Sequence, residues 1–330
     1  MHVCVITAPT GDCPLNRYDP HAARQTKETR DAVAASLREL GHEVSVLEAG
    51  PSLLLDIEAL KPEVLFNMAT GYRSKKDQAN IAALLELSGI PFTGATSHGH
   101  LVGLHKHLAK MVMQAIGVRT PPFRVAFGEG DLNTGLTEGL RFPVIVKPAA
   151  EGSSVGITAD SVVTSNADAA LVASKVLRDF GPPVLVEEFI SGREFTVALL
   201  GHPRLRALPP EEIIFKEGDM YTYGVKARDN VTVKCPADIP EDLARDLEDM
   251  ASRAATAIGC RDAARVDIRL DGDGKAYVLE VNTLPGMMPG YSEFPRIAAE
   301  VGISFAELVK TLIEGAIYRA RGENVPQAFI

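Results

Sequence analysis

Arg265-Val266-Asp267-Ile268-Arg269-Leu270 leads through Asp271-Gly272-Asp273-Gly274 into Tyr277-Val278-Leu279-Glu280-Val281-Asn282. Two alternating segments joined by an acidic, Gly-rich turn predict a β-hairpin with a short loop. Asp267 falls on the first strand. Glu280 and Asn282 are two apart on the second, so the period of two turns them to one face. Three oxygen ligands on adjacent strands suit a hard cation, Mg²⁺, held together with substrate phosphates. From the hairpin alone, the alternative is a solvated turn whose outer positions are merely polar.

Well upstream, Phe142-Pro143-Val144-Ile145-Val146-Lys147-Pro148 runs into Ala149-Ala150-Glu151-Gly152-Ser153-Ser154-Val155-Gly156-Ile157. An apolar strand delivers one lysine and breaks into a turn rich in glycine and hydroxyls. Glycine lets backbone approach a phosphate, and successive N–H groups with the Ser153 and Ser154 hydroxyls form an anion cradle. Lys147 adds a point charge at the strand end. The turn is not a P-loop, and no GxGxxG opens a helix. Alone, a Gly-Ser turn is most often an ordinary loop. A lysine-bearing strand and cradle ahead of an Asp…Glu-x-Asn hairpin is far more specific.

With VKPAAEGSSVGI, VLVEEFISGREFTV, the Arg265–Asp267 strand and LEVNTLPGM in this order, the chain resembles the ATP-grasp carboxylate–amine ligases. Within them it is most similar to the D-alanine–D-alanine ligase group. The likeness extends to Gly89-Ile90-Pro91-Phe92-Thr93-Gly94, to Lys106, and to Gly302-Ile303-Ser304-Phe305-Ala306-Glu307-Leu308-Val309. Only the first ninety or so residues fit loosely. The resemblance implies an α/β ATP-grasp fold with an N-terminal Rossmann-like (pre-ATP-grasp) lobe over 1–98. A central ATP-grasp lobe over 99–190 and a C-terminal catalytic lobe over 191–330 would follow.

Composition agrees with that size. A chain of 330 residues is long for one core and suits two or three packed lobes. Its net charge of −9 argues against a broad nucleic-acid footprint, yet leaves room for a local lysine cluster that binds ATP. No apolar run is long enough for a membrane span, and Met1-His2-Val3-Cys4-Val5-Ile6 lacks the basic flank of a signal peptide. Cys4, Cys13, Cys235 and Cys260 are scattered, with no CxxC. Cys4 and Cys260 sit in apolar context as small buried hydrophobes. A reduced, cytoplasmic protein without membrane or nucleic-acid partners is expected.

Along the chain, Val3–Thr7, Glu43–Leu47 and Val64–Asn67 read as strands, and Thr26–Leu40 and Gln78–Leu87 as helices. That alternation predicts a parallel sheet flanked by helices. His100–Gly117 reads as one helix, with His105 and His107 on different sides of it. Strands follow at Arg124–Phe127, Val144–Lys147 and Val184–Phe189, with helices over Asp168–Asp179 and Phe305–Arg319. Gly322–Ile330 reads as a loose tail.

The resemblance also assigns roles. ATP and two Mg²⁺ would serve, with Asp267, Glu280 and Asn282 as metal ligands. Lys106 and Lys147 would contact the α/β-phosphates above the Ser153–Ser154 cradle, and Lys226 would reach the γ-phosphate from a lid over Lys216–Asn230. Adenine would lie against Glu187, Glu188, Phe189, Ile190 and Leu279, with Glu194 on the ribose and the Glu188 side chain contributing nothing. Arg265 and the Gly286 N–H would stabilise the oxyanion, Ser292 would hold the second substrate's carboxylate, and Ser153 would belong to the network around the first substrate. Read without the resemblance, each lysine is a surface cation and Arg265 pairs with a neighbouring acid.

Departures cluster where the first substrate would bind. Ala22 stands where the family's ammonium-binding glutamate is expected, and Ala227 replaces a tyrosine beside Lys226. Ala69-Thr70-Gly71-Tyr72-Arg73-Ser74-Lys75-Lys76 replaces a His- and acid-bearing segment with cations. Glu293 stands where an apolar residue is common. The expected activity is therefore ATP-dependent joining of a small carboxylate to an amine, with an altered first-substrate site and a role in specialised metabolism. Alternatives are a genuine D-alanine–D-alanine ligase, a ring-closing ligase, and a non-catalytic nucleotide-binding module. A homodimer is expected from the resemblance.

Overall fold

The computed structural model describes residues 1–11, 22–133, 135–216 and 231–322. Its N-terminal region comprises β1 (His2–Thr7), α1 (Ala22–Glu39), β2 (Glu43–Glu48), α2 (Leu53–Leu60), β3 (Val64–Met68) and α3 (Asp77–Leu87). β1 pairs in parallel with both neighbours, in the order β2-β1-β3. β3 is buried throughout and β1 from Val3 onward, which is the pattern of parallel strands covered on both faces.

The central region holds α4 (Ser97–Leu104), α5 (Lys106–Ala115), β4 (Phe123–Ala126), β5 (Val144–Pro148), β6 (Val162–Val163), α6 (Asn166–Phe180) and β7 (Val184–Glu188). Its sheet is antiparallel in the order β4-β7-β5-β6. Ala169, Ala173 and Val176 of α6 pack on Val144, Val146, Val184 and Val186. The single helix expected over His100–Gly117 is two. His105 adopts an extended conformation between α4 and α5, and the Lys106 N–H donates to the Ala149 carbonyl at 2.8 Å. That long-range bond diverts a backbone donor and breaks the helix at the lysine the sequence had singled out.

The C-terminal region runs β8 (Glu194–Gly201), β9 (Arg206–Ala207), β10 (Glu211–Phe215), β11 (Val231–Lys234), α7 (Glu241–Ile258), β12 (Asp262–Leu270), β13 (Ala276–Asn282), α8 (Glu293–Glu300) and α9 (Phe305–Ala320). The sheet order is β11-β10-β8-β12-β13, with β9 on β8. β12 is buried along its whole length between β8 and β13. The first strand of the hairpin is thus sheet interior, while β13 forms the sheet edge and the turn over residues 272–275 is exposed.

The regions interlock. Leu308, Val309, Leu312 and Ile313 of α9 pack against Val3, Val5, Val64 and Phe66 of the first sheet. Ser304 and Glu307 form a capping box that starts α9. Near its other end Arg319 pairs with Asp262, which also accepts the Gly94 N–H at 2.8 Å. Ala109 and Met113 of α5 join the core under β8 and β12. Cys4 and Cys260 are buried, and burial pushes each thiol up to about 12. Among the described residues, no helix is long and apolar enough to cross a membrane.

Candidate active site

Between the antiparallel sheets lies a cleft lined by Lys106, Lys147, Ser153, Ser154, Glu187, Glu188, Phe189, Ile190, Glu194 and Leu279, together with Arg265, Asp267, Arg269, Glu280 and Glu293. The alternation of β12 turns Arg265, Asp267 and Arg269 to one face. Arg265 donates from Nε and Nη2 to the two Asp267 oxygens at 3.0 and 2.8 Å, and from Nη1 to Glu293 at 3.1 Å. Burial disfavours its charge, but Asp267 and Glu293 outweigh that and hold the guanidinium firmly protonated. The neighbouring-acid pairing open to Arg265 in the sequence is therefore realised inside the cleft itself.

Asp267 faces Glu280 across the β12–β13 ladder, and Asn282 donates to Asp267 at 3.0 Å. Thr196 Oγ1 adds a bond to Asp267 at 2.7 Å. Glu280 ion-pairs with Lys106 at 3.0 Å. Burial pushes the Glu280 carboxyl up, but Lys106, Lys147 and Arg265 together pull it well below the usual range. Two carboxylates and an amide on adjoining strands are hard oxygen donors of the kind Mg²⁺ takes alongside phosphates. Among the described residues, no three His, Cys, Asp or Glu side chains converge as a metal-holding group. His105 and His107, expected on different sides of one helix, instead meet edge-on, because His105 is extended between α4 and α5; His107 is buried and also edge-on to Phe127.

Two residues passed over in the sequence complete this cleft. Lys110, fully buried, pairs with Glu187 at 2.7 Å, and Lys147 binds the other Glu187 oxygen. Burial brings the Lys110 ammonium down to about 8, whereas two lysines on one carboxylate hold Glu187 below its usual value against burial. One acid is shared by two cations, so the acid is well compensated and the deeper cation is not. The signal was the spacing of Lys106 and Lys110 by four on one helix. Arg269, next on the β12 alternation, binds Glu194 at 2.8 Å and the Ile190 carbonyl at 2.7 Å. Glu188, expected to contribute nothing, accepts from the Arg141 backbone at 2.9 Å and from its guanidinium at 2.8 Å. Its side chain braces the segment that leads into β5.

Ser153 and Ser154 both take left-handed backbone, at φ 55° and 57°, ahead of Gly156 at 80°. Non-glycine residues there cost about 1–3 kcal/mol each and occur mainly where a turn clamps a ligand. Lys106 Nζ donates to the Glu151 carbonyl, tying α5 to this turn. Burial raises the Glu151 carboxyl against the pull of Lys75, Lys106 and Lys76.

A second cleft adjoins the first and gathers loops from all three regions, including Thr70, Lys75, Gln78, Ser153, Gly286 and Ser292. A Cβ on Gly286 would meet the Ser292 hydroxyl at 2.8 Å, so a side chain there would push the Ser292 hydroxyl from its present position. Ser292 in turn accepts the Met288 N–H at 3.1 Å. Beneath the floor, buried His100 bonds Thr283 at 2.7 Å and Gln78 at 2.8 Å. Lys75 reaches across to Ser153 Oγ at 3.2 Å. Arg73 is exposed, while Asp77 accepts the backbone N–H groups of Arg73 and Ser74 at 2.9 and 3.1 Å. Lys226, Ala227, Cys13 and the lid from 217 to 230 lie outside the described residues, as do the last eight residues and the side chain of Ala22.

Residues 112–314 match the family described as D-ala D-ala ligase C-terminus. The D-alanine–D-alanine ligase of Aquifex aeolicus is 34% identical, covering 87% of this chain and 94% of the relative. The uncharacterized protein y4sG of Sinorhizobium fredii is 33% identical, covering 89% of both chains. The crystal structure of the D-alanine–D-alanine ligase from Bacillus anthracis complexed with ATP superposes with a TM-score of 0.79. It is 22% identical and covers 98% of this chain and all of that one.

Proposed function

The chain belongs to the D-alanine–D-alanine ligase family of ATP-grasp enzymes, and from that premise we propose that it couples a donor carboxylate other than D-alanine to an amine. It is an ATP-dependent carboxylate–amine ligase. The donor carboxylate attacks ATP to give an acyl-phosphate and ADP, and the amine then displaces phosphate. Little covalent chemistry falls to the protein, so positioning and charge neutralisation dominate. Lys106 and Lys147 face the phosphates from the cleft wall. Mg²⁺ held by Asp267, Glu280 and Asn282 would supply further neutralisation of the transferring phosphoryl. Three of the five N–H donors of the Arg265 guanidinium are engaged by Asp267 and Glu293, leaving two for an oxyanion beside the Gly286 N–H.

The single observation that carries the altered donor is the Lys75–Ser153 contact. It sets a cation on the serine expected next to the first substrate. Asp77, the acid of that segment, is occupied by its own loop backbone, and Glu151 stands among lysines. An ammonium bound beside Ser153 would meet the like charge of Lys75. A carboxylate donor that lacks an ammonium, or bears a second anionic group, fits this charge better and points to specialised metabolism. An ADP-release screen over pairs of carboxylates and amines, with product masses, tests the reading. Turnover with hydroxy acids or dicarboxylates and little with D-alanine is expected. Efficient formation of D-alanyl-D-alanine at submillimolar D-alanine would instead assign the reaction named for the relatives.

A further inference from the structure

Glu187, near the end of β7, carries an ammonium on each of its carboxylate oxygens. Lys147 of β5 lies 2.5 Å from one, and Lys110 of α5 lies 2.7 Å from the other. Lys147 and Glu187 border the cleft between the antiparallel sheets, whereas Lys110 stands behind them with no exposed surface. The Lys110 ammonium also donates to Thr120 Oγ1 at 2.6 Å and lies 5.9 Å from the centre of the Phe123 ring. Thr120 in turn donates to the Val278 carbonyl of β13 at 2.8 Å, which anchors the ammonium to a second lobe. Glu280, an acid of the same cleft, ion-pairs with Lys106 at 3.0 Å and feels Lys147 as well.

A buried carboxylate with one ammonium makes a closed pair. Lys147 alone on Glu187 could meet a phosphate only by leaving that acid charged and unpaired, which is strongly unfavourable in a buried site. With Lys110 on the far oxygen, the acid keeps a counter-charge whichever way Lys147 turns. One negative charge between two positive ones also leaves a positive surplus, and Lys147 is the member of the pair that presents it to the cleft. We infer that Lys110 is a positioning residue for the nucleotide: it neutralises Glu187 from behind and leaves the Lys147 ammonium available to a phosphate. The inference rests on the reading of this cleft as the nucleotide site. The rival arrangement is a brace, in which Glu187 pins Lys147 in place and Lys110 only supports the acid. The two differ in sign at Glu187. Removing a brace loosens Lys147 and weakens phosphate binding, whereas removing a competing acid keeps or strengthens it.

Calorimetric titration of the full-length protein with ADP plus Mg²⁺, and separately with adenosine, needs neither donor nor acceptor. The ratio of the two affinities isolates what the phosphates contribute from what the adenine and ribose contribute. In Lys110→Met this ratio should fall by about tenfold or more, the scale of one hydrogen bond to a charged group, with the adenosine affinity little changed. Adding Glu187→Gln to that variant should recover the ratio, because the neutral amide no longer competes for Lys147. Glu187→Gln alone, nearly isosteric, should keep or raise the ratio, and it remains decisive even where Lys110→Met does not fold. A ratio lowered by Glu187→Gln, a ratio unchanged in Lys110→Met, or a double variant no better than Lys110→Met would overturn the inference and leave Lys110 as a brace. A wild-type protein that binds ADP with Mg²⁺ no more tightly than adenosine would bring down the nucleotide reading, and the inference with it.

Discussion

The cleft proposed for the nucleotide and the one proposed for the substrates share a wall but are built differently. In the first, the central charges find their partners on the same strand, an adjacent strand or a helix packed against it. Arg265 meets Asp267 two residues on, Asp267 faces Glu280 across the ladder, and Lys110 and Lys147 meet on Glu187. In the second, at least one partner of each contact lies in a loop. Lys75 reaches Ser153, His100 and Gln78 bond Thr283, and Gly286 admits Ser292. Regular elements fix geometry cheaply and tolerate little change. Loops carried on them can change their charge without disturbing the frame. This division would let the proposed phosphate-handling cleft coexist with the altered donor end proposed above.

The comparison breaks most sharply at Asp267, where a ligand charge can be removed with its shape retained. Asp267→Asn should lower turnover by about 10²–10³-fold, the scale for one preorganised electrostatic group. The variant should still melt cooperatively. Near-wild-type ADP release at limiting Mg²⁺ would remove Asp267 from the ligand set.

A smaller effect tests whether the clefts are separable. Lys75→Met should raise the donor KM by about tenfold, as for one hydrogen bond to a charged group, and leave the ATP KM unchanged. A parallel rise in both constants would show that the clefts act as one unit.

The smallest effect concerns stability beneath the substrate cleft. Burial first, and Arg261 second, push His100 from 6.5 down to about 4. The unfolded chain therefore takes up the proton before the native one does. His100 costs no stability above pH 6.5, and as pH falls toward 4 it removes about 3 kcal/mol. His100→Gln should flatten that part of the acid limb in thermal melts between pH 7 and 4. An acid limb identical to wild type would mean that His100 does not govern it.

Much of this was legible without coordinates. Period-two alternation alone groups Arg265, Asp267 and Arg269 on one face and Glu280 with Asn282 on one face of the next strand, because strand geometry is local. Arg269 was readable by the same rule and was passed over. Lys110 was readable too, from its spacing to Lys106. The break at His105 was not, since a backbone bond to Ala149 overrides a sound helical pattern. Nor did the sequence say whether Lys75 faces solvent or Ser153. By itself the chain determined its order of elements and the chemistry its strands present. Only tertiary packing decided which loop charges meet, because those contacts depend on how three sheets lie together and not on the residues beside them.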